Sequence, residues 1–380
     1  MKVLIIQNIP NPYRIPLFNL LNAQLEKEGH ELKVIFGHAG YSGRLFKLDL
    51  KEIRFNCKIL RSQKILPGMN GPVFNYNGIY RELKEYNPDK IIVIGYSIAT
   101  LKVYLYSHFH KVSYFIWGGT SMESPYAKSK IRKFLRILLL KRASGAIAYG
   151  TRAKDYFNKL GVPINRIWIA INSTDTSYFF EKTKELRSIK SLSTKKHLTC
   201  ISYFRKSKSI DKILEIINLL KEERNDFILD LVGDGPEMSN LKNYTDKNNL
   251  NDFIVFHGFK QKHELPEILS ESDCFLFQTD YDTFGLVLTE AMSAGVTCLS
   301  SVNAGATYDL IKNGETGFVV DFDDAQDVIN KIEYLFDNQD ENSRIAKQGQ
   351  QFVLNNATLS NSVAGFIDAI DATHEKYKKR

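Results

Sequence analysis

The sequence predicts an α/β protein made of two domains, each built on a doubly wound parallel sheet. Short β-rich runs alternate with longer segments of helical spacing along most of the chain, which is the pattern of strands joined by crossover helices. Runs such as residues 90–94 (KIIVI) are apolar throughout, as strands buried on both faces are. The length of 380 residues is too great for one ordinary core and fits two domains of about 170 residues.

In the first half of the chain, strands are predicted at residues 3–7, 32–36, 90–94, 113–117, 146–149 and 167–171. Helical spacing between these runs predicts helices at residues 15–28, 76–86 and 130–142.

The alternation breaks at residues 177–196, which are charged and serine-rich and predict a linker between the domains. We therefore expect a first domain over residues 1–176 and a second domain over residues 197–359. The C-terminal helix, residues 360–380, is expected to pack back on the first domain.

Strands of the second domain are predicted at 198–203, 227–232, 254–256, 274–277, 297–300 and 317–320. Helices of the second domain are predicted at 211–223, 236–248, 263–270, 286–294, 325–336 and 343–355.

Composition indicates a folded protein of the cytoplasm. Hydrophobic residues make up 43% and charged residues 25%, which is ordinary for a packed globular chain. The apolar run at residues 3–6 is too short for a signal peptide, and no run of 18 or more apolar residues predicts a membrane span. No two of the four cysteines have the spacing of a metal or redox site, so we expect them to be reduced core residues.

The net charge of +8 admits nucleic acid, an anionic membrane surface or phosphate-bearing substrates as partners. The lysines are scattered and no nucleic-acid recognition motif is present, so we expect no nucleic-acid partner. Residues 126–142 (YAKSKIRKFLRILLLKR) form a basic amphipathic segment. Its apolar stripe fits either packing on the sheet or peripheral contact with the inner face of an anionic membrane, and the two can coexist.

The most informative segment is residues 275–295 (FLFQTDYDTFGLVLTEAMSAG), which predicts a strand, a polar loop and a helix. Gly285 lets the backbone approach a ligand, and the helix from Leu286 presents free N–H groups suited to phosphate or sugar oxygens. Asp282 in the loop and Glu290 in the helix place two carboxylates where they can accept hydrogen bonds from hydroxyls. The competing interpretation is that both acids lie on a solvated surface.

This segment resembles the E-x7-E signature of retaining GT-B glycosyltransferases of family 4. The resemblance implies that Glu290 binds the ribose of a nucleotide. It also implies that the loop acid holds the donor sugar together with the backbone amides of Thr283, Phe284, Gly285 and Leu286. Here the first glutamate is replaced by Asp282, so the pattern is D-x7-E.

Other segments extend the resemblance. Gly233 lies in a turn like the family's GDGP, and Gly258 and Phe259 lie in a loop like the one that meets the base. Lys208 falls at the position of the family's diphosphate-binding lysine. Ser202 and Tyr203 replace the usual Gly-Arg, and Arg205 two residues later supplies a nearby positive charge. A paired arginine and lysine would neutralise the departing diphosphate, whereas the alternative for residues 205–208 is a solvated basic loop.

The first half contributes candidate acceptor or cleft residues. Tyr13 and Arg14 follow the first strand in a segment, IPNPYRIPLF, that resembles the N-terminal loop of some family members, and Arg14 equally fits a local structural role. No G-x-G-x-x-G is present, which argues against a nicotinamide enzyme. The remaining candidates each follow a predicted strand or line the segment before the linker: Gly118, Gly119, Thr120, Thr151 and Asn172.

The resemblance implies the GT-B fold, with two Rossmann-like domains and a cleft between them. It implies transfer of a sugar with retention from a UDP- or GDP-linked donor to an acceptor hydroxyl, in cell-surface polysaccharide or glycolipid synthesis. Asp280 and Asp282 spell D-x-D inside the donor loop, outside a metal-site context, so we expect no metal and no other cofactor. The alternatives are a nucleotide-sugar 2-epimerase of the same fold and a catalytically inactive donor-binding relative.

Overall fold

The computed structural model describes residues 1–40, 49–66, 73–125, 127, 129–189 and 194–372. Within them the chain divides into two compact units. The first unit comprises residues 1–172 together with the chain from Leu359 onward, and the second comprises Ser173–Thr358. Each unit contains one large parallel sheet flanked by helices, as the alternating sequence pattern predicts.

The first unit carries a seven-stranded parallel sheet in the order β3-β2-β1-β6-β7-β8-β9, beside a small antiparallel pair, β4-β5. Its strands are β1 Lys2–Gln7, β2 Glu31–Phe36, β3 Asn56–Ile59, β4 Ser62–Leu66, β5 Val73–Tyr76, β6 Lys90–Ile94, β7 Ser113–Gly118, β8 Gly145–Ala148 and β9 Ile167–Ile169. Its helices are α1 Ile15–Lys27, α2 Ile79–Tyr86, α3 Ile98–His110, α4 Lys130–Arg142, α5 Thr151–Lys159 and the C-terminal helix α14 Leu359–Ala372.

The second unit carries a six-stranded parallel sheet in the order β12-β11-β10-β13-β14-β15. Its strands are β10 Lys196–Ile201, β11 Phe227–Val232, β12 Ile254–Gly258, β13 Cys274–Phe277, β14 Thr297–Ser301 and β15 Phe318–Val320. Its helices are α6 Thr176–Ile189, α7 Ile210–Leu220, α8 Met238–Lys247, α9 Leu265–Glu271, α10 Leu286–Ser293, α11 Gly305–Leu310, α12 Ala325–Asp337 and α13 Gln339–Asn356.

The central strands bury both faces, which explains their unbroken apolar runs. In β1, Leu4 and Ile6 belong to the core on one face of the sheet, whereas Val3 and Ile5 belong to the core on the other. Successive strand residues point to opposite faces, so a strand covered on both sides must be apolar at every position. All four side chains are 0–1% exposed.

The segment predicted to be a linker is a helix over most of its described length. Helix α6 begins after Asp175, whose carboxylate accepts the backbone N–H of Tyr178 at 3.2 Å, and it packs on α9 and α10 of the second unit. Phe179 is 0% exposed, and the Arg187 guanidinium donates to the carbonyl oxygens of Ala294, Leu269 and Ser270. This corrects the linker expectation for residues 177–189, because a few buried contacts anchor an otherwise polar helix. Residues 190–193 lie outside the described part.

Other elements have no counterpart among the predicted ones. Strand β3, the β4-β5 pair and helices α3 and α5 were not assigned from the sequence, and the helix predicted from residue 76 begins at Ile79 in α2. Helix α14 packs on α1 and β9 within the first unit, and residues 373–380 lie outside the described part. The four cysteines form no disulfide, and three of them are buried.

Candidate functional site

The candidate donor site lies where the strand order of the second sheet reverses. Strands β10 and β13 are neighbours, but the chain continues from β10 to β11 on one side and from β13 to β14 on the other. Loops that follow two such strands diverge and leave a crevice at the carboxyl edge, which is where open α/β sheets bind ligands. The candidate residues at 205–208 and at 282–286 belong to these two loops.

Hydrogen bonds tie the two loops to each other. The backbone N–H of Asp280 donates to the Ser207 carbonyl oxygen at 3.2 Å, and the Ser209 hydroxyl donates to the Asp280 carboxylate at 2.6 Å. Ser209 has φ 45°, a left-handed conformation that is uncommon outside glycine, and α7 begins directly after it. The two loops therefore form one connected wall.

Lys208 is the buried cation of this wall. Its ammonium forms an ion pair with Oδ2 of Asp282, while Oδ1 of Asp282 accepts the backbone N–H of Phe284 at 3.1 Å. A buried ammonium is costly unless it is paired, so Asp282 fixes both the charge and the position of Lys208. The sequence analysis gave these residues separate tasks, whereas the structure joins them as an ion pair.

Arg205 lies one turn before Lys208 and differs from it in environment. Its carbonyl oxygen accepts the Lys208 backbone N–H at 2.8 Å, and its side chain is exposed. Within the described ranges the Arg205 guanidinium forms no ion pair. The loop thus offers one cation held in place and one that is free to meet an anion.

Gly285 sets the entry of helix α10. Its φ of 101° lies in the region that favours glycine, and a Cβ there would stand 2.4 Å from the Phe277 ring. As at any helix start, the first N–H groups of α10 lack partners within the helix and carry its positive dipole end. Phe284 is 2% exposed, so its ring belongs to the core, and its backbone N–H and carbonyl oxygen are bonded to Asp282 and Ala306. This corrects the expectation that its amide meets the donor, whereas Thr283 is exposed.

Glu290 lies in α10, one turn beyond its start, and is half-buried. Burial raises the pKa of its carboxyl to about 7, against the opposing influence of the Lys262 ammonium and the Thr174 hydroxyl. The Lys262 ammonium lies 3.4 Å from the Asp175 carboxylate and 4.7 Å from the centre of the Tyr178 ring. The sequence analysis missed Lys262, since no motif marks it and only the fold brings it near α10.

Two glycine turns border the same edge of the sheet. Gly233 follows β11 with φ 143°, and a Cβ there would meet the Ser202 carbonyl oxygen at 1.8 Å. Its N–H donates to the Gly258 carbonyl oxygen at 2.8 Å, which joins the turn after β11 to the end of β12. Phe259 and Tyr203 are 39% and 55% exposed, so both rings offer faces for stacking against a planar group.

A second polar cluster of this unit was not found from the sequence. Asp230 on β11 accepts hydrogen bonds from His197 Nδ1 on β10 and His257 Nε2 on β12, each at 2.7 Å. The three side chains come from three adjacent strands and meet on one face of the sheet. Burial raises the pKa of the Asp230 carboxyl, but its two histidine partners outweigh that effect and the net pKa is lowered.

The first-unit candidates are placed at the carboxyl edge of the first sheet. Gly118 ends β7, Gly119 and Thr120 follow it, and Thr151 opens α5. Asn172 is buried, and its backbone N–H donates to the Tyr149 carbonyl oxygen at 2.9 Å. Arg14 is buried against the rings of Tyr13, Trp117 and Tyr149, two of which the sequence analysis did not single out.

No metal-binding cluster of three or more His, Cys, Asp or Glu residues is present in the part of the chain that the structure describes. The two D-x-D carboxylates are engaged with Ser209 and Lys208. The expectation that no metal is required stays a prediction.

Residues 181–352 match the family model described as glycosyl transferases group 1, a range that covers most of the second unit. N-acetyl-alpha-D-glucosaminyl L-malate synthase of Bacillus anthracis is 27% identical over 198 residues, 52% of this chain and 51% of that protein. UDP-Gal:alpha-D-GlcNAc-diphosphoundecaprenol alpha-1,3-galactosyltransferase of Escherichia coli is 31% identical over 115 residues, 30% of this chain and 29% of that protein. The chain spans about half the length, or less, of these relatives.

Solved structures match over nearly the whole chain. The crystal structure of Anabaena HepE in complex with UDP has a TM-score of 0.78 at 17% identity and covers 98% of this chain and 100% of that one. At this identity the likeness establishes the fold alone, and the predicted α/β architecture is confirmed. Residues 181–352 thus match the glycosyl transferases group 1 family model, in a chain whose fold is the GT-B fold.

Proposed function

We propose that the chain is a retaining glycosyltransferase that moves a sugar from a UDP- or GDP-linked donor to an acceptor hydroxyl, in cell-surface polysaccharide or glycolipid synthesis. The observation that carries the proposal is the arrangement around Lys208. A buried, oriented ammonium lies at the switch point of the second sheet, on the loop hydrogen-bonded to the one that leads into α10. Positive charge and free N–H groups that converge on such an edge suit a diphosphate.

The names of relatives support the choice of substrates. The Anabaena protein was crystallised with UDP and also with UDP-glucose, and the Escherichia coli relative is named for a UDP-linked donor and a lipid diphosphate acceptor. The half-buried carboxylate of Glu290 is the acceptor that we assign to the ribose hydroxyls. Gly233, Gly258 and Phe259 border the place we assign to the base.

In the proposed reaction the bond between the anomeric carbon and the diphosphate breaks, and the acceptor oxygen bonds to that carbon. Negative charge develops on the departing diphosphate. Lys208, Arg205 and the backbone amides of Thr283, Gly285 and Leu286 stabilise it. Preorganised donors of this kind act without reorganising during the reaction. The proton of the acceptor hydroxyl leaves on the diphosphate, so we assign no protein base or nucleophile.

The test is a product analysis with UDP- and GDP-linked hexoses, followed by NMR of the anomeric proton. The proposal predicts release of the nucleoside diphosphate with an α-linked donor giving an α-linked product. Release of the nucleoside diphosphate with a β-linked product from an α-linked donor would contradict the retaining mechanism. Isomerised free sugar with water consumed and no transfer to any acceptor would favour the epimerase, and tight nucleotide binding without turnover would favour the inactive relative.

We also propose that α4 rests on an anionic membrane. The helix packs on its unit through Leu139 and Leu140, yet Ile131, Phe134, Leu135 and Leu138 are 76%, 67%, 50% and 40% exposed. Their spacing places them on one stripe. Neighbouring α3 adds Leu101, Leu105 and Phe109, which are 46%, 45% and 73% exposed.

The basic residues around this stripe favour an anionic membrane surface. Lys130, Lys133, Lys141 and Arg142 are exposed, and neither α3 nor α4 contains an acidic residue. Apolar side chains flanked by basic ones suit the boundary between anionic headgroups and acyl chains. Two residues of the segment singled out in the sequence, Tyr126 and Lys128, lie outside the described part. No described helix is long and apolar enough to cross a membrane.

Vesicle flotation tests this contact. The chain should float with vesicles containing phosphatidylglycerol and should float less with neutral ones, and F134E/L138E should lose binding by more than tenfold. Leu219→Glu, which changes an exposed leucine of α7 in the second unit, is the matched control and should bind as the wild type does. Equal flotation of the wild type and F134E/L138E would contradict the proposal.

A further inference from the structure

The first unit contains a buried arginine that pairs with no described carboxylate. Arg14 is 1% exposed, none of its Nε, Nη1 and Nη2 atoms makes a hydrogen bond of good geometry, and the acceptor in reach is the phenol oxygen of Tyr149. No ion pair of Arg14 is found within the described residues. A buried charge without a partner is costly, and native proteins satisfy such groups with a protein acceptor, ordered water or a ligand.

Aromatic rings cover the faces of this guanidinium, and no described carboxylate binds its edge. The guanidinium carbon lies 4.3 Å from the centre of the Trp117 ring and 5.0 Å from the centres of both the Tyr13 and Tyr149 rings. Ring faces attract the cation, most strongly where water is excluded. They do not accept the in-plane N–H bonds, which match the two oxygens of a phosphate or carboxylate.

No phenolate balances the charge. Burial raises the pKa of Tyr149 to about 12, although the Arg14 charge acts to lower it, so the phenol is neutral near pH 7. Other buried polar atoms without partners lie in the same loop or on neighbouring strand ends: Gln7 Nε2, Asn11 Oδ1, Trp117 Nε1 and Asn172 Oδ1. Such a concentration at one edge of a sheet is unusual for packing alone.

The position of Arg14 is that of a ligand site. It follows β1 and precedes α1, and strand order in the first sheet reverses between β1 and β6. The carboxyl edge at such a reversal is where open α/β sheets bind ligands, and the N-terminus of α1 adds its positive end.

We propose that Arg14, in its cage of Tyr13, Trp117 and Tyr149, binds a phosphate group of a substrate in the first unit. The Tyr13 and Tyr149 rings are half-buried, and one of them turns aside to admit the oxyanion because the guanidinium nitrogens are covered in this structure. The phosphate belongs to a phosphate-bearing acceptor. Only that choice of substrate rests on the proposed function, since phosphate binding is measured without any transfer.

Trp117 is a built-in reporter for the site. The chain has two tryptophans, and W168F leaves Trp117 as the single one. We expect inorganic phosphate and pyrophosphate to change Trp117 emission saturably in W168F, whereas sodium chloride at equal ionic strength leaves it unchanged. Adding R14M should weaken the response at least tenfold. Adding R136M is the matched control, since Arg136 is also buried between two tyrosine rings, Tyr96 and Tyr156, and should leave the response intact.

Further titrations identify the source of the phosphate. A response to a short-chain isoprenyl diphosphate and none to UDP assigns the site to the acceptor. A response to UDP that is lost in R14M overturns the assignment to an acceptor. Absence of any response to phosphate, pyrophosphate, isoprenyl diphosphate and UDP overturns the inference, as does a response that survives R14M. Either result leaves nucleotide binding by the second unit to be judged separately, from Glu290 variants.

Discussion

Lys208→Met is expected to lower kcat by about 10²- to 10³-fold while changing KM for the donor much less. The ammonium is oriented by Asp282 before any substrate arrives, so it stabilises charge that develops only as the diphosphate departs. Loss of a group that acts mainly in the transition state reduces kcat and kcat/KM together. Steady-state kinetics on the wild type and the variant measure both parameters.

Lys206→Met is the matched control, since Lys206 is an exposed lysine of the same short helix and has no assigned task. It should change kcat less than threefold. Asp282→Asn should resemble Lys208→Met in kcat, because it removes the counter-ion that positions the ammonium. A tenfold rise in KM with unchanged kcat in Lys208→Met would place the lysine in substrate binding alone.

Asp230→Asn is expected to destabilise the second unit by about 3–5 kcal/mol near pH 6, the cost of breaking a buried ionic cluster by removing one partner. The Asp230 carboxylate is bonded to two histidines on neighbouring strands. An asparagine keeps one acceptor oxygen, loses the negative charge and presents an NH2 donor to the other imidazole. Urea unfolding followed by circular dichroism measures the difference from the wild type.

The effect should depend on pH in a defined direction. The hydrogen bond to Asp230 raises the pKa of His197 above its ordinary value, so this stabilisation is full below about pH 6.5 and is lost as pH rises through the folded-state pKa. The pKa of Asp230 is lowered, so its part is present above about pH 4 and is lost as pH falls further. The difference between wild type and Asp230→Asn should therefore be larger at pH 6 than at pH 9.

Asp226→Asn is the control for a surface pair. Its carboxylate binds Arg224 at 2.7 Å but is 47% exposed, and exposed pairs contribute only about 0–1 kcal/mol. If Asp230→Asn is as stable as Asp226→Asn, the buried charges do not stabilise the cluster. The same conclusion follows if the stability difference between wild type and Asp230→Asn grows as pH rises above 6.5.

The sequence predicts the sheets well because their strands are buried on both faces and read as apolar runs. The sequence does not predict elements whose formation depends on contacts with distant residues. Helix α6 is mostly polar and reads as a linker, yet it is held by Phe179 and by Arg187 on the carbonyl oxygens that end α9 and α10. Strand β3 (NCKI) has no fully buried residue and gives no periodic signal.

The same division holds for the candidate sites. Lys208, Asp282 and Glu290 are marked by local motifs, but the ion pair between the first two joins residues 74 positions apart and has no local signature. Lys262, near Glu290, and the aromatic cage of Arg14 are likewise assembled from distant segments. Amphipathic spacing in α4 shows an apolar stripe, and only the fold shows that Phe134 and Leu138 face away from the core.

Binding of nucleotides by the second unit is the premise of the whole proposal, and calorimetric titration of UDP and GDP into the wild type and Glu290→Gln measures it. The proposal predicts saturable 1:1 binding of one of the two. At about pH 8.5, above the Glu290 pKa of about 7, Glu290→Gln should weaken it by about 10- to 150-fold, since a hydrogen bond to a charged carboxylate contributes about 1.5–3 kcal/mol. Glu267→Gln, which changes an acid of α9, should bind as the wild type does. No heat from either nucleotide, or equal affinity in Glu290→Gln, would contradict the donor site.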